Sequence, residues 1–244
     1  MLWQSGIRTL RSPKDMISIV IPTLNANAVL APTLASLVPA LASGVLRDVV
    51  LVDGGSSDET VEIAEAAGLT IVPSERGRGT QLRAGVETAK GDWLLFLHAD
   101  TVLEAGWDEE VRTFVERIKQ RKRPDTAAAF RFVLDDVGFM PRLVEWGVAW
   151  RCTLLGMPYG DQGLLISRRL YNKVGGYKDM PLLEDVDLIR RLGRSRILIL
   201  KAGAMTSAVR YQRGGYVGRV LRNWCCMLLY YCGVPIRHIV RIYN

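Results

Sequence analysis

A chain of 244 residues, 49% of them apolar, is long enough for one α/β domain, or one domain with an appendage, around a single core. Lys and Arg exceed Asp and Glu by 32 to 25; the resulting +7 suits phosphate-bearing ligands or an anionic membrane surface as readily as an ordinary basic enzyme. The four cysteines, three of them clustered at Cys225, Cys226 and Cys232, lack paired CxxC spacing, and no run reaches the ~18 apolar residues of a spanning helix, which argues against a disulfide scaffold and a membrane-spanning protein.

A reduced, cytoplasmic chain is expected, soluble or peripheral at the inner face of the membrane. Residues 1–15 read as a flexible leader whose apolar content is too short for a signal peptide. Four apolar, β-branched runs follow, at 17–22 (ISIVIP), 48–55 (DVVLVDGG), 69–73 (LTIVP) and 92–100 (DWLLFLHAD), each continuous enough for a parallel strand covered on both faces. Helical spacing separates and follows them over 28–41, 57–67, 80–89 and 107–120. In the second helix Ser57 can cap while Ile63, Ala64 and Ala67 form the buried face; in the last, Val111, Phe114, Val115 and Ile118 recur at i, i+3, i+4, i+7. The alternation predicts a doubly wound, mostly parallel α/β sheet, with ligands beyond the strand ends, where Asn25, Asp53 and Asp100 fall.

Beyond residue 123 the pattern predicts strands at 127–134, 163–167 and 196–200 and helices at 139–155, 183–192 and about 215–231. The organisation expected is a nucleotide-sugar-binding half over 16–123, an acceptor-binding and catalytic half of the same domain over 124–210, and an amphipathic helical tail over 211–244.

Several strings carry chemistry. In DGGSSDET (53–60) a strand ends on an acid and turns on two glycines; a capped turn explains the turn, but Asp53 can also accept hydrogen bonds from a ribose or base edge. RGRGTQLRAG (76–85) brings Arg76, Arg78 and Arg83 together with glycines at a helix start, which suits a diphosphate, although a solvated basic loop reads the same way. Asp100 and His98 stand two residues apart at a strand end and could hold a hard divalent ion bridging diphosphate oxygens; a lone strand-end aspartate is also a common turn former. In LLEDVDL (182–188), Glu184, Asp185 and Asp187 favour the helix dipole, yet three acids in four residues exceed what a helix start needs, and one could deprotonate an acceptor hydroxyl. Trp146, Trp150 and Tyr159, close to GDQG (160–163), could line an acceptor pocket or simply pack.

In this order and spacing, DGGSSD, the Gly/Arg-rich helix start, HAD, GDQG and LLEDVDL resemble a family 2 glycosyltransferase of the GT-A fold, over roughly residues 17–192. The resemblance implies an inverting transfer from a nucleotide-sugar donor, with UDP favoured. Pro22, Thr23, Asn25, Asp53 and Gly54 would then face the nucleoside, and Arg76, Gly79 and Arg83 the phosphates. Asp100, with His98 standing where the DxD element has its first acid, would hold Mn²⁺ or Mg²⁺. Asp185, with Glu184 beside it, would be the general base, and Trp150, Tyr159, Gly160, Asp161 and Gln162 would meet a small-molecule or lipid-linked acceptor. RVLRNW (219–224) is an offset version of the (Q/R)xxRW element of membrane synthases, without their spanning helices, so polymer synthesis is disfavoured. The HADT and GDQG strings look most like a bacterial subgroup found beside radical-SAM genes and linked to arsenosugar assembly.

A sugar-phosphate nucleotidyltransferase would need a Gly-rich basic loop after the first strand, where this chain has PTLNAN (22–27). A non-catalytic nucleotide-sugar-binding module is the other alternative. Nucleic-acid binding is not expected, because the basic residues do not interleave with aromatics. The tail mixes Arg219, Arg222, Arg237 and Arg241 with Trp224, Met227, Leu228 and Tyr230, which reads either as a helix packed on the domain or as an interfacial helix touching a membrane.

Overall fold

The structure, a computed structural model, describes residues 16–120 and 125–243; the expected leader and the basic run 121–123 lie outside the described residues. Strands β1 (Ile17–Thr23), β2 (Leu46–Asp53), β3 (Thr70–Pro73) and β4 (Trp93–Phe96) alternate with helices α1 (Asn27–Ala42), α2 (Thr60–Ala66) and α3 (Arg78–Thr88). Then come β5 (Thr101–Leu103), α4 (Trp107–Gln120), β6 (Ala127–Asp135), α5 (Phe139–Leu155), β7 (Leu164–Ser167), α6 (Arg168–Lys173) and α7 (Glu184–Leu192). The last elements are β8 (Ile197–Ser207), α8 (Val209–Gly214), α9 (Tyr216–Tyr231) and α10 (Ile236–Tyr243).

The eight strands form one sheet in the order β3-β2-β1-β4-β7-β6-β8-β5. The β1–β2, β2–β3, β1–β4 and β6–β8 pairs are parallel, whereas β7 runs antiparallel to both β4 and β6, and β5 antiparallel to β8. The apolar runs are continuous because both faces are covered. Ile17, Ile19 and Ile21 pack with Trp107, Val111, Phe114, Val115 and Ile118 on one side. Val20, Val50 and Val52 meet Leu82 and Val86 of α3 and Leu188, Ile189 and Leu192 of α7 on the other. Helix α3 comes close only because residue 85 is glycine: a Cβ there would fall 2.3 Å from Val20 Cγ1.

Several elements differ from expectation. β4 stops at Phe96, so His98, Ala99 and Asp100 lie in a turn that the strand pattern concealed. α2 begins at Thr60, and its start is held by Asp58, whose Oδ1 accepts from Thr60 N at 3.1 Å; Ser57 instead donates its N–H to Asn25 Oδ1, and Ala67 is exposed. β8 continues to Ser207, and β5, α6 and α8 are additional elements. The tail folds as α9 and α10, tied by Tyr230 Oη donating to Asp187 Oδ1 at 3.1 Å and by Arg219 donating to Tyr243 Oη at 2.7 Å. Among the described residues, no helix is long and apolar enough to cross a membrane.

Candidate active site

The loops after β1 and β2 lock one another. Asn25 takes a left-handed conformation (φ 52°), which asparagine tolerates; its N–H donates to Ser56 Oγ at 2.9 Å and its Oδ1 accepts from Ser57 N at 2.9 Å. Asp53 turns back into its own loop: Oδ2 accepts from Gly55 N (2.9 Å) and Ser56 N (2.8 Å), and Oδ1 from Ser56 Oγ (2.5 Å) and Thr23 Oγ1 (3.2 Å). Burial raises the Asp53 carboxyl pKa, but the Ser56, Gly55 and Thr23 donors outweigh it and hold the group below the ordinary carboxylate range. Gly54 sits over Gln81, whose Nε2 ties Thr23 O and Val52 O at 2.8 Å each.

The turn after β4 is pinned from behind by α1, where the fully buried Thr33 donates to Ala99 O at 2.8 Å. This presents His98 and Asp100 to the cavity, with His98 Nδ1 3.8 Å from Asp100 Oδ1. On the other side of the imidazole, Nε2 meets the guanidinium of Arg78, the first residue of α3, and Arg78 Nε pairs with Glu184 Oε1 at 3.2 Å. Burial, with Arg78 and Arg210 nearby, keeps His98 well below the usual histidine range, so it is neutral and accepts from Arg78 through Nε2. Burial raises the Glu184 carboxyl; Arg78 opposes the shift and Asp185 adds to it.

The three acids of LLEDVDL go three ways. Glu184 pairs with Arg78. Asp187 is bound by Lys178 Nζ (3.1 Å) and Arg191 Nε (2.8 Å), which makes it a structural anchor. Asp185 faces the cavity: its Oδ2 accepts from Gly160 N at 2.7 Å and its Oδ1 from Val186 N at 2.7 Å. Leu183, just before them, is held at φ 63°, a costly conformation for a branched side chain and one that clusters at functional sites.

Two lobes share Arg78, His98, Asp100 and Arg210. The larger, about 440 Å³, lies over the end of β1 and is walled by Pro22, Thr23, Asn25, Gly77 and Gln81. The smaller, about 170 Å³, is walled by Tyr159, Gly160, Asp161, Asp185 and Tyr211. Pro22, Thr23, Asn25, His98, Asp100, Tyr159, Gly160, Asp161, Glu184 and Asp185 are thus brought together as the sequence suggested. Others are not. Arg76 and Arg83 are exposed outside both lobes, whereas Arg78 lines both. Asp53 and Gly54 do not line the larger lobe; they build the loop beside it. Gly79 serves packing, since a Cβ would fall 2.1 Å from Lys178 O. Trp150 is 50% exposed and packs edge-on against Trp146 on the outer face of α5, away from the pocket. Gln162 is buried, and its Nε2 donates to Phe130 O at 2.9 Å. Arg78 had a signal in the sequence: it lies three and four residues before Gln81 and Leu82, on the buried face of α3. Arg210, on the short α8, had none.

The donors at this turn limit how a divalent ion could be held. Among the described residues no three His, Cys, Asp or Glu side chains gather to hold a metal, so the protein would offer Asp100 and at most His98, and any further ligands would have to come from bound molecules. A neutral imidazole carries one proton: with Nε2 accepting from Arg78, the proton sits on Nδ1. His98 therefore binds an ion only if Arg78 turns away.

The Glycosyl transferase family 2 model matches residues 18–145, more than half of the chain, so the chain belongs to glycosyl transferase family 2. It is 40% identical over 172 residues to a PGL/p-HBAD biosynthesis glycosyltransferase of Mycobacterium tuberculosis, covering 66% of this chain and 63% of that protein. It is 33% identical over 117 residues, 44% of this chain and 34% of the other, to an undecaprenyl-phosphate 4-deoxy-4-formamido-L-arabinose transferase of Pseudomonas paraeruginosa. The chain thus spans under two thirds of the length of these relatives. Its fold matches M. tuberculosis glucosyl-3-phosphoglycerate synthase in complex with Mn²⁺, UDP and glucosyl-3-phosphoglycerate (TM-score 0.56, 20% identity, 96% of this chain and 88% of that one). It also matches S. aureus TarS in complex with UDP-GlcNAc (TM-score 0.56, 17% identity, 78% and 58%). The α/β architecture with its mostly parallel sheet flanked by helices is therefore of the GT-A type.

Proposed function

We propose that the protein is an inverting glycosyltransferase that moves a sugar from a nucleoside-diphosphate donor, UDP-linked by preference, to a hydroxyl acceptor, with Asp185 as general base. The observation that carries this reading is the position of Asp185: its carboxylate is fixed by Gly160 N–H in the lobe adjoining the Arg78–His98–Asp100 wall. In the reaction the acceptor O–H proton passes to Asp185, the acceptor oxygen bonds to the anomeric carbon, and the bond from that carbon to the diphosphate breaks with inversion. The nucleoside would lie along Pro22, Thr23 and Asn25, and the diphosphate against Arg78 and Arg210, which are forked cations suited to phosphate. Asp100 would hold a divalent cation, Mn²⁺ or Mg²⁺, which when bound neutralises charge growing on the leaving diphosphate. The donor half would span 16–123 and the acceptor half 124–210, and within the tail over 211–244 the side turned away from α5, where Leu228 is exposed, would touch the inner membrane face.

The ligands of the TarS and synthase complexes support UDP and a divalent cation; the undecaprenyl-phosphate relative supports a lipid-linked acceptor and the synthase complex a small-molecule one. The narrower place among radical-SAM-associated, arsenosugar-linked proteins is supported by HADT and GDQG alone, and failure to glycosylate any arsenic-bearing acceptor would remove it. Asp185→Asn should lower transfer and donor hydrolysis at least a hundredfold while UDP affinity stays within about twofold. Unchanged turnover in that variant would reject Asp185 as base, and absence of turnover in the unmodified protein with UDP bound would favour a nucleotide-sugar-binding module.

A further inference from the structure

A second cavity of about 230 Å³ lies between α5 and α9 and opens from the lobe that holds Asp185: Val148, Arg151, Tyr211, Asn223 and Met227 line both. Away from this junction its walls turn apolar, with Leu143, Val144, Val220, Leu221 and Trp224. Asn223 stands at this junction, and Asp161 lines the Asp185 lobe. Asp161 Oδ1 and Asn223 Oδ1 are buried without a hydrogen-bond partner, a costly state that a ligand's hydroxyl or N–H would relieve. Polar demand at one end and apolar wall at the other describe an elongated amphiphile.

Resting on the glycosyltransferase reading, we infer that the α5–α9 groove is the subsite for the apolar body of the sugar acceptor, a hydroxyl-bearing amphiphile whose head meets Asp185, Asp161 and Asn223. A compact polar acceptor would leave the Leu143–Trp224 wall unused. A bilayer surface would need a convex apolar face, whereas this groove is concave and runs into the catalytic lobe.

Gly147 provides the means to test it. It lies in the groove wall, and a Cβ placed there meets no atom within 4 Å, so a side chain can be started from this point without a clash at its first carbon. Leucine also favours the helix more than glycine does. Calorimetric titration with 4-ethyl-, 4-butyl- and 4-hexylphenol, beside UDP, should show affinity rising in the unmodified protein by about fourfold per methylene. Gly147→Leu should flatten that dependence and weaken hexylphenol by about tenfold or more, with UDP binding unchanged; Asn223→Ala should weaken every phenol by a similar factor and keep the slope. No length dependence, or the same dependence in Gly147→Leu, would overturn the inference. So would binding to phosphatidylglycerol vesicles without any binding of the phenols, which would assign the groove to a membrane surface. Graded phenol binding with no UDP binding would uphold the groove as an amphiphile site and sink the glycosyltransferase reading instead.

Discussion

Asp53 closes β2 and Asp100 follows β4, both at the edge where the parallel strands stop, yet their surroundings differ. Asp53 is 6% exposed and accepts from four donors in its own loop and in β1. Asp100 faces the cavity with His98 Nδ1 at 3.8 Å, while its turn is held by other atoms, through Thr33 on Ala99 O. An acid that fills its own lone pairs shapes a loop; one whose loop is held for it keeps its charge for a ligand.

Exchanging the roles of the two sites tests the comparison. Asp100→Ala should cost about a hundredfold in metal-supported transfer, equivalent to roughly 2.7 kcal/mol, while Tm barely moves. Asp53→Ala should do the reverse, removing about 2–3 kcal/mol of stability by stranding buried donors and lowering Tm by roughly 6 °C, with turnover of the folded fraction little changed. A large activity loss at unchanged Tm in Asp53→Ala would place that carboxylate on the substrate after all.

Acid titration tests the Asp53 site further. The Asp53 carboxyl is held below its ordinary value by the fold, so its stabilising contribution is complete above the unfolded pKa near ~4 and is lost as pH falls through the folded value. Asp53→Asn should therefore flatten the acid limb of the Tm–pH curve below about pH 4. The smallest effects are expected at Trp150→Ala and Arg83→Ala, which should keep transfer within about twofold, because both side chains lie outside the two lobes. Arg78→Ala should not.

Most of the first 120 residues was legible because each signal is local. Short apolar runs gave β1 to β3, the 3.6-residue spacing of Val111, Phe114, Val115 and Ile118 gave α4 to the residue, and the acids before Leu188 gave α7. What escaped depends on distant partners. β5 is three residues long and exists because Thr101–Leu103 pairs with Thr206–Ala204, about a hundred positions away. The antiparallel direction of β7 has no local signature. Within the site, Arg78 is distinguished from Arg76 and Arg83 by its side of α3, and the four donors that Asp53 accepts from come from a fold its local string does not show. Trp150 followed aromatic proximity to GDQG along the chain, and α5 turns it outward.

The most direct test is the shift in thermal stability with UDP, GDP or CMP, each with and without Mn²⁺ or Mg²⁺, on the unmodified protein and on Asp100→Ala. A hundredfold excess over Kd stabilises by about 2.7 kcal/mol, which such a scan resolves. The account predicts a metal-dependent shift with UDP that disappears in Asp100→Ala; no shift with any nucleotide would contradict it and leave a GT-A fold without donor chemistry.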